Sequence, residues 1–169
     1  MAYLLDTNVF ITAKRDHYRM NVCPGFWDWI AAANRAGKLY SITAVREELK
    51  KGSDVLVSWA SQQSKTFFLP PDEYVIRALE EVSGWANTKD YRPAAISEFF
   101  SVADYWLVGH ALATGYTVVT HEVGVPTSKK QIKLPDACNG IGVKWINPFD
   151  MLEKERVLFV LAPNRTTTP

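Results

Sequence analysis

Apolar positions along this chain alternate between short β-like runs and longer stretches with helical spacing. Leu4 with Leu5, and 117–120 (Thr-Val-Val-Thr), are the clearest strand cores. Leu39–Ile42 and 142–146 add two more strands, and 66–69 a weaker one. Between them the spacing predicts helices over 26–36, 44–50, 54–63, 72–86, 103–114 and 148–155. Gly37 and Gly115 fall where helices should stop, and Pro70-Pro71-Asp72 reads as a turn opening into a helix. Strands spaced by helices imply βαβ units, hence an α/β fold with a mainly parallel central sheet covered on both faces.

The totals narrow this picture. At 169 residues, 47% of them hydrophobic, the chain can bury one sizeable core. A single domain over 1–160 is expected, followed by a frayed tail over 161–169. No run of about 18 uncharged apolar residues occurs, so no membrane span is expected. Met1-Ala2-Tyr3 leads straight into a strand without a basic region, so no signal peptide is expected either. Cys23 and Cys138 are too few for a disulfide framework or a four-cysteine zinc site and suit a reducing cytoplasm. A formal charge of +1 neither marks nor excludes a nucleic-acid binder.

Several acids stand at corners of the pattern. Asp6 closes the first apolar run, which puts its carboxylate at the carboxyl edge of the sheet, where open α/β sheets bind ligands. Glu47 and Glu48 lie early in a short helix; one of them faces the sheet edge, and register favours Glu48. Asp104 opens the helix begun in Ser101-Val102-Ala103-Asp104, and Glu122 follows the strand through Val119. Each has an ordinary reading. Asp6 could cap a helix, Glu47 and Glu48 could face solvent, Asp104 fits the serine-x-x-acid capping pattern, and Glu122 could be a loop acid. Their joint placement is harder to dismiss, because one like-charged pair at about 4 Å costs about 4 kcal/mol at an effective dielectric near 20. A fold that gathers four such groups needs a cation, and oxygen-only ligands select magnesium or manganese. Those ions polarise phosphoryl oxygens and activate water.

The order of these motifs resembles the PIN-domain nucleases, including the VapC-type toxins of bacterial toxin–antitoxin pairs. The resemblance rests on Asp6-Thr7-Asn8 at a strand end and on Val45-Arg46-Glu47-Glu48-Leu49. It continues in Asp104 opening the helix through Tyr105-Trp106-Leu107-Val108-Gly109-His110-Ala111, and in Val119-Thr120-His121-Glu122 closing a strand. It runs from Tyr3 to about Ile146. It implies a three-layer α/β/α fold and a metal-dependent endoribonuclease, with Asp6, Glu48, Asp104 and Glu122 as catalytic, metal-binding acids. Asn8 and Thr120 would be polar supports, Mg2+ or Mn2+ the cofactor, and RNA the substrate. An antitoxin protein and a second copy of the chain are the partners this likeness implies. Glu122 departs from the pattern, since the family more often carries aspartate there.

Other features complete the reading. Lys129, Lys130 and Lys133, in the basic loop after Glu122, are candidates to hold RNA phosphates, and Lys50 and Lys51 could serve similarly. His121 neighbours Glu122, yet successive strand-end residues point apart, and no histidine pair has zinc spacing. Trp27, Trp29 and Trp59 lie on expected helices and should fill core or dimer contacts. A haloacid-dehalogenase-type phosphatase needs a second aspartate where Asn8 stands, and a dinucleotide-binding module needs a glycine-rich turn after the first strand. The rival from another class is a PIN-like module that binds RNA or protein without catalysis.

Overall fold

Why the chain forms a sheet with helices on both faces is visible in its first strand, β1 (Tyr3–Leu5), whose three side chains are all buried. A strand buried on both pleats must be covered on both sides, which is the environment of parallel sheets. The computed structural model describes residues 1–160, and the expected tail over 161–169 lies outside the described residues.

Four more strands follow: β2 (Leu39–Ile42), β3 (Phe68–Leu69), β4 (Thr117–Val119) and β5 (Trp145–Ile146). They pair in parallel in the order β3-β2-β1-β4-β5, with Leu4 opposite both Tyr40 and Val118. The order runs outward from β1 in one direction and then restarts at β4 on the other side. The point of reversal, between β1 and β4, is where open α/β sheets leave a crevice at their carboxyl ends.

Among the described residues nine α-helices flank this sheet in a three-layer α/β/α PIN-like fold: α1 (Thr7–Thr12), α2 (Pro24–Arg35), α3 (Thr43–Lys50), α4 (Val55–Gln62), α5 (Glu73–Thr88), α6 (Pro93–Ser101), α7 (Ala103–Thr114), α8 (Leu134–Ile141) and α9 (Pro148–Lys154). The strands and helices expected from the apolar pattern are present, with bounds shifted by a few residues. Gly115 ends α7 in the left-handed conformation (φ 71), which costs a residue with a side chain strain that glycine avoids. Three helices were not anticipated. Helix α1 starts at once after β1 and runs into a π turn, Ala13–His17, closed by the Tyr18 amide on the Ala13 carbonyl at 2.6 Å. Helices α6 and α8 are short, each opens on a proline in its first turn, and neither shows a long apolar repeat.

Packing on α7 holds the site's scaffold. This helix contacts α3, α5, α6, α8, β2 and β4, and its Leu107, Val108 and Ala111 are buried. Trp27 is buried, and Trp59 packs on it with ring centroids 5.1 Å apart, as expected of core aromatics. Replacing Leu107 with alanine should lower stability by about 2–5 kcal/mol through loss of buried apolar volume. Gly115→Ala should cost about 1–2 kcal/mol through left-handed strain alone. Urea unfolding followed by circular dichroism checks both.

Candidate active site

The crevice between β1 and β4 holds a polar pocket of about 250 Å³ lined by Asp6, Asn8, Glu48, Glu98, Asp104 and Glu122, among others. Asp6 stands where β1 passes into α1, and its amide donates to the Val119 carbonyl at 3.0 Å, extending the β1–β4 ladder by one residue. It occupies the N-cap position of α1 without capping it. Its Oδ2 instead accepts from the Thr120 hydroxyl at 2.8 Å. That hydroxyl also accepts from Asn8 Nδ2 at 2.9 Å and from the Glu122 amide at 3.0 Å. Asn8 Oδ1 in turn accepts from the His121 amide at 3.0 Å. Thr120 is fully buried, so this one oxygen joins the ends of β1 and β4 to the loop that carries Glu122.

Glu48 and Glu122 are each held by the start of a helix. Glu48 Oε1 accepts from the Ala103 amide at 2.9 Å, and its Oε2 from the Thr7 hydroxyl at 2.5 Å. Glu122 Oε2 accepts from the Leu134 amide at 2.9 Å, and its Oε1 from Lys133 Nζ at 3.2 Å. Helix N-termini offer unpaired amides and a positive dipole end, and each of these carboxylates takes up one such amide.

The two aspartates are in the opposite condition. Burial first, and then the charges of Glu122 and Glu48, push Asp6 up to about 7, against the lowering hydrogen bonds of Thr120 and Thr7. Burial first, and then Asp6, Glu122 and Glu48, push Asp104 up to about 8, with Lys133 opposing. Their protons leave in two steps that belong to the pair rather than to either residue. Below them the buried Cys138 thiol is also driven well up, by burial and then by Asp104 and Asp6, and stays protonated.

The four predicted acids and the two predicted supports, Asn8 and Thr120, are therefore brought to one place. Of the paired glutamates, Glu48 enters the pocket, while Glu47 is exposed and pairs with Lys50 at 2.8 Å. The capping pattern at Asp104 is not used: Ser101 Oγ donates to the Glu98 carbonyl at 2.7 Å, and the first amide of α7 goes to Glu48. Lys129 and Lys130 do not line this pocket, and Lys129 pairs with Asp90. His121 turns away to pack against His17 and Phe149, with ring centroids 5.7 Å from each. His110 is buried, and burial lowers its pKa to about 4.

Two participants lie outside the expected set, Thr7 and Glu98. Thr7 sits beside Asp6 in sequence, and Glu98 belongs to a helix that the apolar spacing does not predict. Of the basic-loop lysines it is Lys133 that stands at the acids, on Glu122.

Whether these residues suit a cation follows from their donors. Carboxylate and hydroxyl oxygens that crowd negative charge into a half-buried pocket fit a hard divalent ion such as magnesium or manganese. Among the described residues, however, no three histidine, cysteine, aspartate or glutamate side chains already stand together as a ligand group. Each oxygen of Glu48 and of Glu122 already accepts one hydrogen bond from the protein itself. Asp104 has no hydrogen-bonded partner lowering its pKa, so Asp6 and Asp104 are the groups with most to gain from a cation.

With this sheet order and this crevice, the molecule is a PIN-like α/β/α domain. The chain belongs to the family described as domain of unknown function DUF4411, whose model matches residues 3–159. No curated protein matches it. Among solved structures it is similar to FitAcB from Neisseria gonorrhoeae, at 19% identity and a TM-score of 0.55, over 87% of this chain and 98% of that one. It is similar also to FitAB bound to an IR36 DNA fragment, at 18% identity and a TM-score of 0.54, over 96% of this chain and 99% of that one. At such identities the likeness establishes the fold.

The raised aspartates have a consequence for stability. A carboxyl whose folded pKa lies above its unfolded one holds its proton better in the folded state, so stability falls as pH rises between the two values. In EDTA the melting temperature should decline from about pH 4 to about pH 8, and Asp104→Asn should flatten that decline. At pH 8 the variant should be more stable than the parent by about 1–3 kcal/mol. A parallel decline in both proteins would refute the electrostatic account.

Proposed function

We propose that this protein is a metal-dependent endoribonuclease, the toxin of a toxin–antitoxin pair acting in the cytoplasm on RNA phosphodiester bonds. The observation that carries the nuclease reading is the pair Asp6, buried, and Asp104, half-buried, two carboxylates lining one pocket at the sheet's reversal point. A magnesium or manganese ion bound there would supply a polarised phosphoryl oxygen and an acidified water.

The chain's own groups divide the remaining work. Thr120 fixes the orientation of Asp6 by its hydrogen bond to Oδ2. Glu48 and Glu122, anchored on amides, contribute negative potential and can reach an ion through water. Lys133, beside Glu122, is the cation best placed to meet a phosphate near the pocket. The toxin assignment, with an antitoxin and a second copy of the chain as partners, rests on the ordered likeness of the four motifs to VapC-type sequences. The shared fold is consistent with it.

A second reading, a PIN-like module that binds RNA or protein without cutting, is favoured by one observation. No ligand trio is preassembled among the described residues.

Incubating a mixed RNA pool with the purified chain and manganese, magnesium or EDTA separates the two. The nuclease reading expects metal-dependent cutting that drops to background in Asp6→Asn. It also expects the metal to raise the melting temperature of the parent more than that of the variant. A folded protein that cuts nothing and melts at the same temperature with or without metal would establish the binding module instead.

A further inference from the structure

Beside the acidic pocket lies a larger cavity of about 410 Å³, and one loop serves both. Pro126 to Lys129 line the cavity, while Gln131 and Ile132 of the same segment line the acidic pocket. The cavity's far wall is aromatic: Trp85 on α5 and Tyr91 just beyond it, with ring centroids 6.1 Å apart and planes at 60°. Its rim carries Lys89 and Lys129. Lys129 is paired with Asp90, whereas Lys89 has no ion pair among the described residues.

Two buried polar atoms in this wall lack hydrogen-bond partners, out of three such side-chain atoms among the described residues. One is a donor, Trp85 Nε1, and the other an acceptor, Asp136 Oδ1. Asp136 is only 7% exposed. Its Oδ2 accepts from the Val125 amide at 2.7 Å, which fixes the carboxylate and leaves Oδ1 over. A Cβ at Gly124 would come within 2.6 Å of Oδ1, so only glycine lets the loop lie against this group. Burial, and then the field of Asp136, push the Tyr91 phenol up, which sets ring and carboxylate in one neighbourhood. Native proteins pair nearly all such groups, with protein, ordered water or a ligand, so each of these two atoms calls for such a partner.

We propose that this cavity is a nucleotide subsite for the RNA strand flanking the scissile phosphate. The base would lie on the Tyr91 ring with its edge turned toward Trp85 Nε1 and Asp136, and Lys89 would meet the adjoining phosphate. A nucleobase offers a flat face for one aromatic ring and an edge that both donates and accepts. The assignment to RNA rests on the nuclease reading, because the shared loop is what connects the cavity to the acids.

The test uses the full chain with two substitutions outside the acidic pocket, Tyr91→Leu and Lys89→Glu. Binding of a fluorescein-labelled single-stranded RNA 12-mer is measured by anisotropy in EDTA, and its cleavage with manganese. Both variants should keep the parental melting temperature and raise Kd and KM at least fivefold, with kcat within about twofold. Lys89 is exposed, so its variant decides the matter if Tyr91→Leu does not fold. Cutting by the parent, with Kd and KM unchanged in the folded variants, would overturn the subsite and leave the nuclease standing. Binding that weakens in the variants, with no cutting by the parent, would keep the subsite and overturn the nuclease. A parent that neither binds nor cuts overturns both.

Discussion

Folding takes the Asp6 carboxylate out of water, and much of the surrounding architecture answers that cost. The position is imposed by the sheet: β1 is buried on both faces and ends at the reversal of strand order, so the next side chain meets the ends of β4 and the start of α7. Four acids meet there, and the fold treats them in two ways. Glu48 and Glu122 are received by the N-termini of α7 and α8, which turns two helix dipoles toward negative charge. Asp6 receives the Thr120 hydroxyl and the Thr7 backbone, Asp104 only the field of Lys133, and the repulsion among the acids stays in place. Such an imbalance is expected where a site is prepared for a positive ligand.

Local signals made much of this legible in the sequence. A strand that ends on a carboxylate, a helix that begins with one, and a glycine at a helix stop are short-range features, and they survive folding with shifts of a residue or two. The ambiguity between Glu47 and Glu48 needed more, because helical phase decides which of two neighbours faces the sheet. The capping pattern at Ser101, the alternative reading of Asp104, goes unused for a related reason. Whether a serine caps depends on what else competes for the amide, and here the competitor is Glu48, 55 positions away. Helices α6 and α8 were invisible because each is short and takes its stability from packing against α7 rather than from its own periodicity. Glu98 was lost with them.

The loop from Glu122 to Lys133 is where these threads meet. It begins on an acid of the pocket, passes over Asp136, borders the aromatic cavity and ends on the lysine that faces the same acid. Its two ends are fastened, at Thr120 through the Glu122 amide and at α8 through the Leu134 amide. A strand of nucleic acid lying across the loop would thus contact a segment whose position is already tied to Asp6.

The hydrogen bond from the Ala103 amide to Glu48 bears on how this family can drift. A chain that no longer needed the chemistry would still need that amide satisfied, because α7 starts with it and carries much of the core. Mutation at 48 is therefore opposed by folding alone, and a glutamate can persist there long after a lineage has lost its activity. Asp104 enjoys no such protection: among the described residues no hydrogen bond rests on its oxygens, and its charge is a burden. Across relatives, then, an acid retained at 104 says more about surviving function than one retained at 48.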